Sequence, residues 1–243
     1  MQEERKKIAL LLICTNKYFI YLMQLLQSAE EFFFKDDDVT VYLFSDRHHA
    51  IKKGRFNIVQ IKIDALKFPY ATLYRYRTFI TANDAIIKND FAFYCDVDMT
   101  FVADVGREIL PDGFNDDGLT ATLHPGFYKG GGAWYTNHHS TAYVLVQNKQ
   151  KYFAGGFQGG IAKKYMEACY IMDKNIADDE AKGIIAEWHD ESHWNYLLSL
   201  NKCKVLDPAY CYVDDFEKVL DYGLKDIKPR LVALTKKHED VRR

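Results

Sequence analysis

Positions 8–14 are apolar without interruption, a run whose length and continuity predict a strand buried on both faces. After the polar Thr15-Asn16-Lys17, the residues Tyr18, Leu22, Leu25, Leu26, Ala29 and Phe33 recur at helical spacing up to the charged turn Asp36-Asp37-Asp38. A second strand is predicted over 39–44 and an alternating third over 56–63; helical spacing returns over 73–87, ahead of a short aromatic strand at 91–95. Strands alternating with helices predict an α/β fold with a mostly parallel, helix-flanked sheet. In such sheets ligands sit beyond the carboxyl ends of the strands, so the polar residues after Cys14 and Cys95 come first in the search for a site. The second half is less regular. It predicts strands over 119–123 and near 141–146, a loop at Gly130-Gly131-Gly132, and helices around 161–173 and 189–198. No composition break or repeat divides the chain, so one domain is expected, with a mobile basic tail over 236–243.

Composition narrows the functional classes. Basic and acidic residues nearly balance, 32 against 34, and 48% of the chain is hydrophobic, which excludes nucleic acid as the main ligand and a disordered acidic tail. An aromatic share of 15% suits the stacking faces of a sugar or nucleotide site as well as it suits core packing. The five cysteines form no C-x-x-C pair and read as buried free thiols. No apolar run approaches the ~20 residues of a membrane span, and 8–14 lacks the features of a signal peptide. A cytoplasmic protein of a reducing compartment is the expectation.

The sharpest local signal is Asp96-Val97-Asp98, directly after the strand ending at Cys95. In an extended chain both carboxylates would share one face while Val97 points into the core, and two hard oxygen ligands at a strand end suit Mg²⁺ or Mn²⁺; an acidic turn is the competing reading. In Trp188-His189-Asp190-Glu191-Ser192-His193-Trp194-Asn195, the histidines stand at i, i+4, but the glutamate of H-E-x-x-H is one place late for a zinc protease. Asp190 and Glu191 are either a carboxylate pair acting at a sugar carbon or an N-cap with its first-turn acid. Gly155-Gly156 and Gly159-Gly160 match neither G-x-G-x-x-G nor a P-loop; they would admit a ligand close to the backbone or form a tight turn. His124 could offer an imidazole to a hydroxyl, while His48-His49 and His138-His139 read as solvated loop residues. Arg75 and Arg77 lie on different helix faces, so only one can point at the strand ends. Lys236 and Arg242 could close over a diphosphate, or belong to a solvated tail.

Taken together, Tyr42-Leu43-Phe44-Ser45-Asp46, Asp96-Val97-Asp98, His124-Pro125-Gly126-Phe127-Tyr128, residues 154–160 and Trp188-His189-Asp190-Glu191-Ser192 resemble, in order and spacing, glycosyltransferase family 6. These are retaining α-1,3-galactosyl and N-acetylgalactosaminyl transferases, and the resemblance runs over nearly the whole chain. It implies a GT-A fold over 1–243, with a UDP- and metal-binding half to about residue 120 and an acceptor-binding half beyond. It further implies Mn²⁺, with Mg²⁺ as the alternative, on Asp96 and Asp98, and uridine contacts from Ile13, Cys14, Thr15 and Tyr18. Val97 would also belong to the donor site, Arg75 would stand near the donor sugar and the aspartates, and Gly155 and Gly156 would line the pocket for the sugar's 2-substituent. In the family, glycine at the Gly156 position goes with N-acetylgalactosamine and alanine with galactose. Asp190 would contact the donor sugar, Glu191 would stand beside the anomeric carbon and the acceptor, His124 and Trp188 would meet the acceptor, and Lys236 and Arg242 would fold over UDP. The implied partners are a UDP-sugar and a galactose-terminated oligosaccharide; the alternative is a glycan-binding protein that kept the fold and lost the chemistry. Two departures stand out. The amino-terminal anchor and stem of the animal enzymes are absent from this sequence, which looks more like bacterial or viral members, and the family's Y-E-R-R segment is replaced by Trp134-Tyr135-Thr136-Asn137.

Overall fold

The computed structural model describes residues 4–236. Ten strands and seven helices make two sheets and their cover. In the main sheet β1 (Lys7–Cys14), β2 (Asp38–Ser45), β3 (Asn57–Lys62) and β4 (Phe91–Cys95) are parallel, and β7 (Phe153–Ile161), β6 (Leu119–Leu123) and β8 (Cys203–Leu206) complete the order β3-β2-β1-β4-β7-β6-β8. Only β7 runs against its neighbours. The apolar run of β1 has its explanation here: the strand pairs with β2 on one side and β4 on the other, and separate core clusters cover its two faces. Helix α1 (Phe19–Phe32) lays Leu22, Leu25, Leu26 and Ala29 on one of them, each buried leucine contributing about 1.5–3 kcal/mol. This is the mixed α/β architecture expected of a GT-A fold.

Strand order reverses between β1 and β4, the switch point at which a crevice opens beyond the strand ends. A small second sheet, β5 (Met99–Phe101) with β10 (Leu231–Ala233) and β9 (Tyr212–Val213), sits just past it and ties the end of the described chain to the turn after β4. The backbone N–H of Leu234 donates to the Asp98 carbonyl at 2.9 Å.

Several expectations are corrected. The helical stretch over 73–87 is broken into α2 (Tyr70–Leu73), α3 (Arg75–Ile80) and α4 (Asn83–Ile86), with non-helical dihedrals at Tyr74 and Ala82. Residues 141–146 are not a strand: the buried Asp179 carboxylate accepts bonds from the Ser140 hydroxyl and the Thr141 N–H, and the Thr141 hydroxyl donates to the Asn175 carbonyl, which holds the segment against α5 (Ala162–Glu180). The glycine-rich stretch at 154–160 is neither loop nor turn but the body of β7. Glycine is required there by close approach, since a Cβ at Gly159 would lie 2.3 Å from the Ala92 carbonyl oxygen and one at Gly160 2.1 Å from that of Gly118. His49 is half-buried rather than solvated, its Nε2 2.8 Å from the Ser45 hydroxyl. All five cysteines are free, as expected. Among the described residues no helix is long and apolar enough to cross a membrane.

Candidate active site

Beyond the ends of β1 and β4 lies a cavity of about 210 Å³, lined by Ile13, Thr15 and Tyr18 from one strand end and by Tyr94, Asp96, Val97 and Asp98 from the other. Its remaining wall comes from residues 66–75, and Lys236 closes it. Cys14 turns its thiol into the core, where burial pushes the pKa up to about 12, and its carbonyl is taken by the Ser45 hydroxyl at 2.6 Å. Asp96-Val97-Asp98 is a turn, not the extended segment that alternation assumed. Both carboxylates nevertheless line the one cavity, and Val97 packs into the core.

Arg75, only 6% exposed, organises the floor. From the first turn of α3 its Nη1 donates to the Gly155 carbonyl at 2.6 Å and lies 2.8 Å from Asp190 Oδ2; its Nη2 reaches Asp96 Oδ1 at 3.2 Å. A cation so deeply buried needs partners of opposite charge, and the two aspartates supply them. Arg77 points away, to Asp173 at 2.9 Å, so one arginine faces the site and the other does not.

Behind Arg75, next to the cavity, stand helix α6 (His189–Leu198) and β7. Trp188 is the N-cap, with no side-chain capping bond, so Asp190 serves no capping role. Asp190 is 2% exposed, and burial pushes its pKa up to about 6 against the pull of Arg75. Glu191 accepts from the Tyr152 hydroxyl at 2.9 Å and from the Gly155 N–H at 2.8 Å; burial lifts it to about 7, with those two hydrogen bonds opposing the shift. Gly155 is thus gripped from both sides, by Arg75 at its carbonyl and Glu191 at its amide. The Gly156 carbonyl accepts from the Asp96 N–H at 2.8 Å, and a Cβ added to Gly156 would lie 3.1 Å from Asp96 Oδ2.

His124 follows β6 and stands beside the Tyr152 ring, centroids 5.8 Å apart; burial lowers its pKa to about 4, so it is neutral and its Nδ1 accepts from the Gly126 N–H. Trp188 is 48% exposed at the helix entry. Lys236 is ion-paired with Asp98 and lies over the Tyr18 ring at 5.2 Å. Arg242 lies outside the described residues. His193 is buried beside Asp179, 4.0 Å away, and His189 packs against Phe68, so the two histidines do not converge.

Among the described residues, no three His, Cys, Asp or Glu side chains gather as a ready-made metal cage. Asp96 and Asp98 instead offer hard oxygens to one cavity, a donor set suited to a divalent ion that completes its shell with phosphate and water. Asp96, Asp98 and Asp190 set three carboxyl groups against Arg75 and Lys236, which leaves room for further positive charge.

Two contributors are missing from the residues singled out in the sequence. Tyr152 reaches Glu191 across 39 positions of chain, which no local pattern announces. Tyr94 donates its hydroxyl to Asp96; its place two residues earlier on the same strand face was a usable signal.

Comparison with known proteins shows the family to which the chain belongs. The model of the family described as Glycosyltransferase family 6 matches residues 1–243. The chain is 38% identical to histo-blood group ABO system transferase 1 of Rattus norvegicus over 157 residues, 63% of this chain and 42% of the relative. It is 30% identical to histo-blood group ABO system transferase 2 of the same species over 215 residues, 84% of this chain and 62% of the relative. With the O-antigen biosynthesis glycosyltransferase WbnI of Escherichia coli it shares 25% identity over 178 residues, 72% and 74% of the two chains. The matches thus span less than two thirds of either rat relative. The Arg75 bridge from Asp96 to Asp190, the glycine pair of β7 and the Asp190-Glu191 helix entry lie within a chain that belongs to glycosyltransferase family 6.

Proposed function

We propose that the protein is a retaining α-1,3-glycosyltransferase that moves N-acetylgalactosamine, ahead of galactose, from a UDP-sugar to a terminal galactose of a glycan. The observation that carries this reading is Arg75, which joins Asp96, Asp190 and the Gly155 carbonyl at the floor of one cavity. Such an arrangement faces a leaving diphosphate with aspartates on one side and a sugar ring with carboxylates on the other. Ile13, Thr15 and Tyr18 border the uridine end. Asp96 and Asp98 would hold a divalent ion, Mn²⁺ or alternatively Mg²⁺, which when bound supplies positive charge to the departing phosphates. Arg75 and Lys236 add fixed cations to the same end.

As the bond from the anomeric carbon to phosphate breaks, its electron pair leaves with UDP and positive charge grows on the sugar. Glu191, held by Tyr152 and Gly155, is the carboxylate placed to stabilise that charge, as a transient nucleophile or as an electrostatic partner of front-face attack. His124, Tyr152 and Trp188 border the space for the incoming 3-hydroxyl. The glycan-binding alternative without chemistry draws no support from relatives whose names are those of transferases.

The test follows UDP release and glycan product from UDP-GalNAc and UDP-Gal, with Mn²⁺ or EDTA, using lactose and fucosylated lactose as acceptors. Mn²⁺-dependent transfer, faster from UDP-GalNAc, is expected. Binding of UDP without consumption of either donor would instead favour the glycan-binding alternative.

A further inference from the structure

Tyr94 is the residue of β4 that precedes Asp96 by two positions, and it points to the sheet face covered by α3 and α5. Its ring is trapped between two residues one helical turn apart on α3: the Phe79 ring, at 5.4 Å between centroids, and the Arg75 guanidinium, 4.1 Å from the Tyr94 centroid. The hydroxyl donates to Asp96 Oδ1, the oxygen that also accepts from Arg75 Nη2. The Asp96 backbone N–H is fixed separately on the Gly156 carbonyl. No hydrogen bond from a described residue is recorded on Asp96 Oδ2, and residue 156, being glycine, sets no Cβ against it at 3.1 Å.

We propose that Tyr94 is a positioning residue of the donor site, pinning one oxygen of Asp96 so that the other alone is presented to a divalent cation and the diphosphate it accompanies. The inference rests on the donor reading of the cavity given above. A single open oxygen makes Asp96 a one-point ligand. That leaves coordination positions for phosphate oxygens and water, the mode in which Mg²⁺ and Mn²⁺ are usually held beside phosphates.

The experiment is calorimetric titration of UDP into the full chain, with Mn²⁺ and with EDTA, for the unsubstituted protein and Tyr94→Phe, with thermal unfolding recorded alongside. Phenylalanine keeps the ring, and so the contacts with Phe79 and Arg75, while removing only the hydroxyl. Affinity for UDP in Mn²⁺ is expected to fall about tenfold, the scale of one charge-assisted hydrogen bond. In EDTA it is expected to stay within about twofold of the unsubstituted value, because the pinned oxygen matters only through the cation. A second variant, Phe79→Leu, unbacks the ring and keeps the hydroxyl, and should show the same Mn²⁺-specific loss at about threefold. Unchanged affinity in Mn²⁺, or equal losses with and without it, would overturn the positioning role. Failure of the unsubstituted protein to bind UDP under either condition would overturn the donor reading, and this inference with it.

Discussion

The two walls of the site handle charge in opposite ways. On the side of β4 and α3 the carboxylates of Asp96 and Asp98 are ion-paired with Arg75 and Lys236. On the side of β6, β7 and α6, His124 and Glu191 are buried without an ion-pair partner, which lowers His124 to about 4 and raises Glu191 to about 7. On the proposed function, the first wall receives a charged diphosphate and the second meets charge that exists only while a bond is breaking.

Removing the cation that holds the first wall is the most damaging way to test that contrast. Arg75→Met strands Asp190 and Asp96 without their shared partner, and a loss of about 3–5 kcal/mol in stability is expected. Thermal unfolding reads it directly; a melting temperature within a degree or two of the original would mean the aspartates do not depend on Arg75.

Glu191→Gln attacks the second wall without disturbing the first. UDP binding should persist while transfer falls by more than about a hundredfold, the scale of about 2.7–4 kcal/mol for one electrostatic partner in a transition state. The same variant sharpens the pH argument. Because the folded pKa of Glu191 lies above its unfolded value, the native state binds the extra proton, and this group makes stability fall as pH rises from about 4.5 to about 7. Activity of the unsubstituted enzyme should rise through the same upper limit as the carboxylate forms. Glu191→Gln should flatten its part of the stability slope, and an unaltered slope would assign the titration elsewhere.

The smallest expected effect falls at the strand the walls share. Gly156→Ala sets a methyl group 3.1 Å from Asp96 Oδ2, so that carboxylate must give by a few tenths of an ångström. A shift in donor ratio toward UDP-Gal is expected from competing-donor assays; an unchanged ratio would remove Gly156 from the pocket for the 2-substituent.

The first wall was largely legible in the sequence because its signals are local. The continuous run of β1, the aromatic strand Phe91–Cys95 and the aspartates after it each declare themselves within a few residues. The second wall was legible only in part. The run from His189 to Leu198 was visible as a helix, but β7 was hidden, because glycines selected for close passage past Ala92 and Gly118 carry neither strand propensity nor alternation. The segment at 141–146 has the composition of a strand, yet the Asp179 carboxylate captures its backbone before any sheet edge can. Contacts such as Tyr152 with Glu191 are products of the fold, so no reading of neighbours in sequence could supply them.

The reversed direction of β7 has a consequence for how such a catalyst can diversify. Since β6 leaves the sheet at the site and β7 enters it there, with Leu123 paired to Phe153, the connection over 124–152 begins and ends on the same rim. On the proposed function, the exposed parts of that connection could change a glycan preference without shifting the register beneath, whereas Tyr152 and the segment tied to Asp179 are fixed by their contacts.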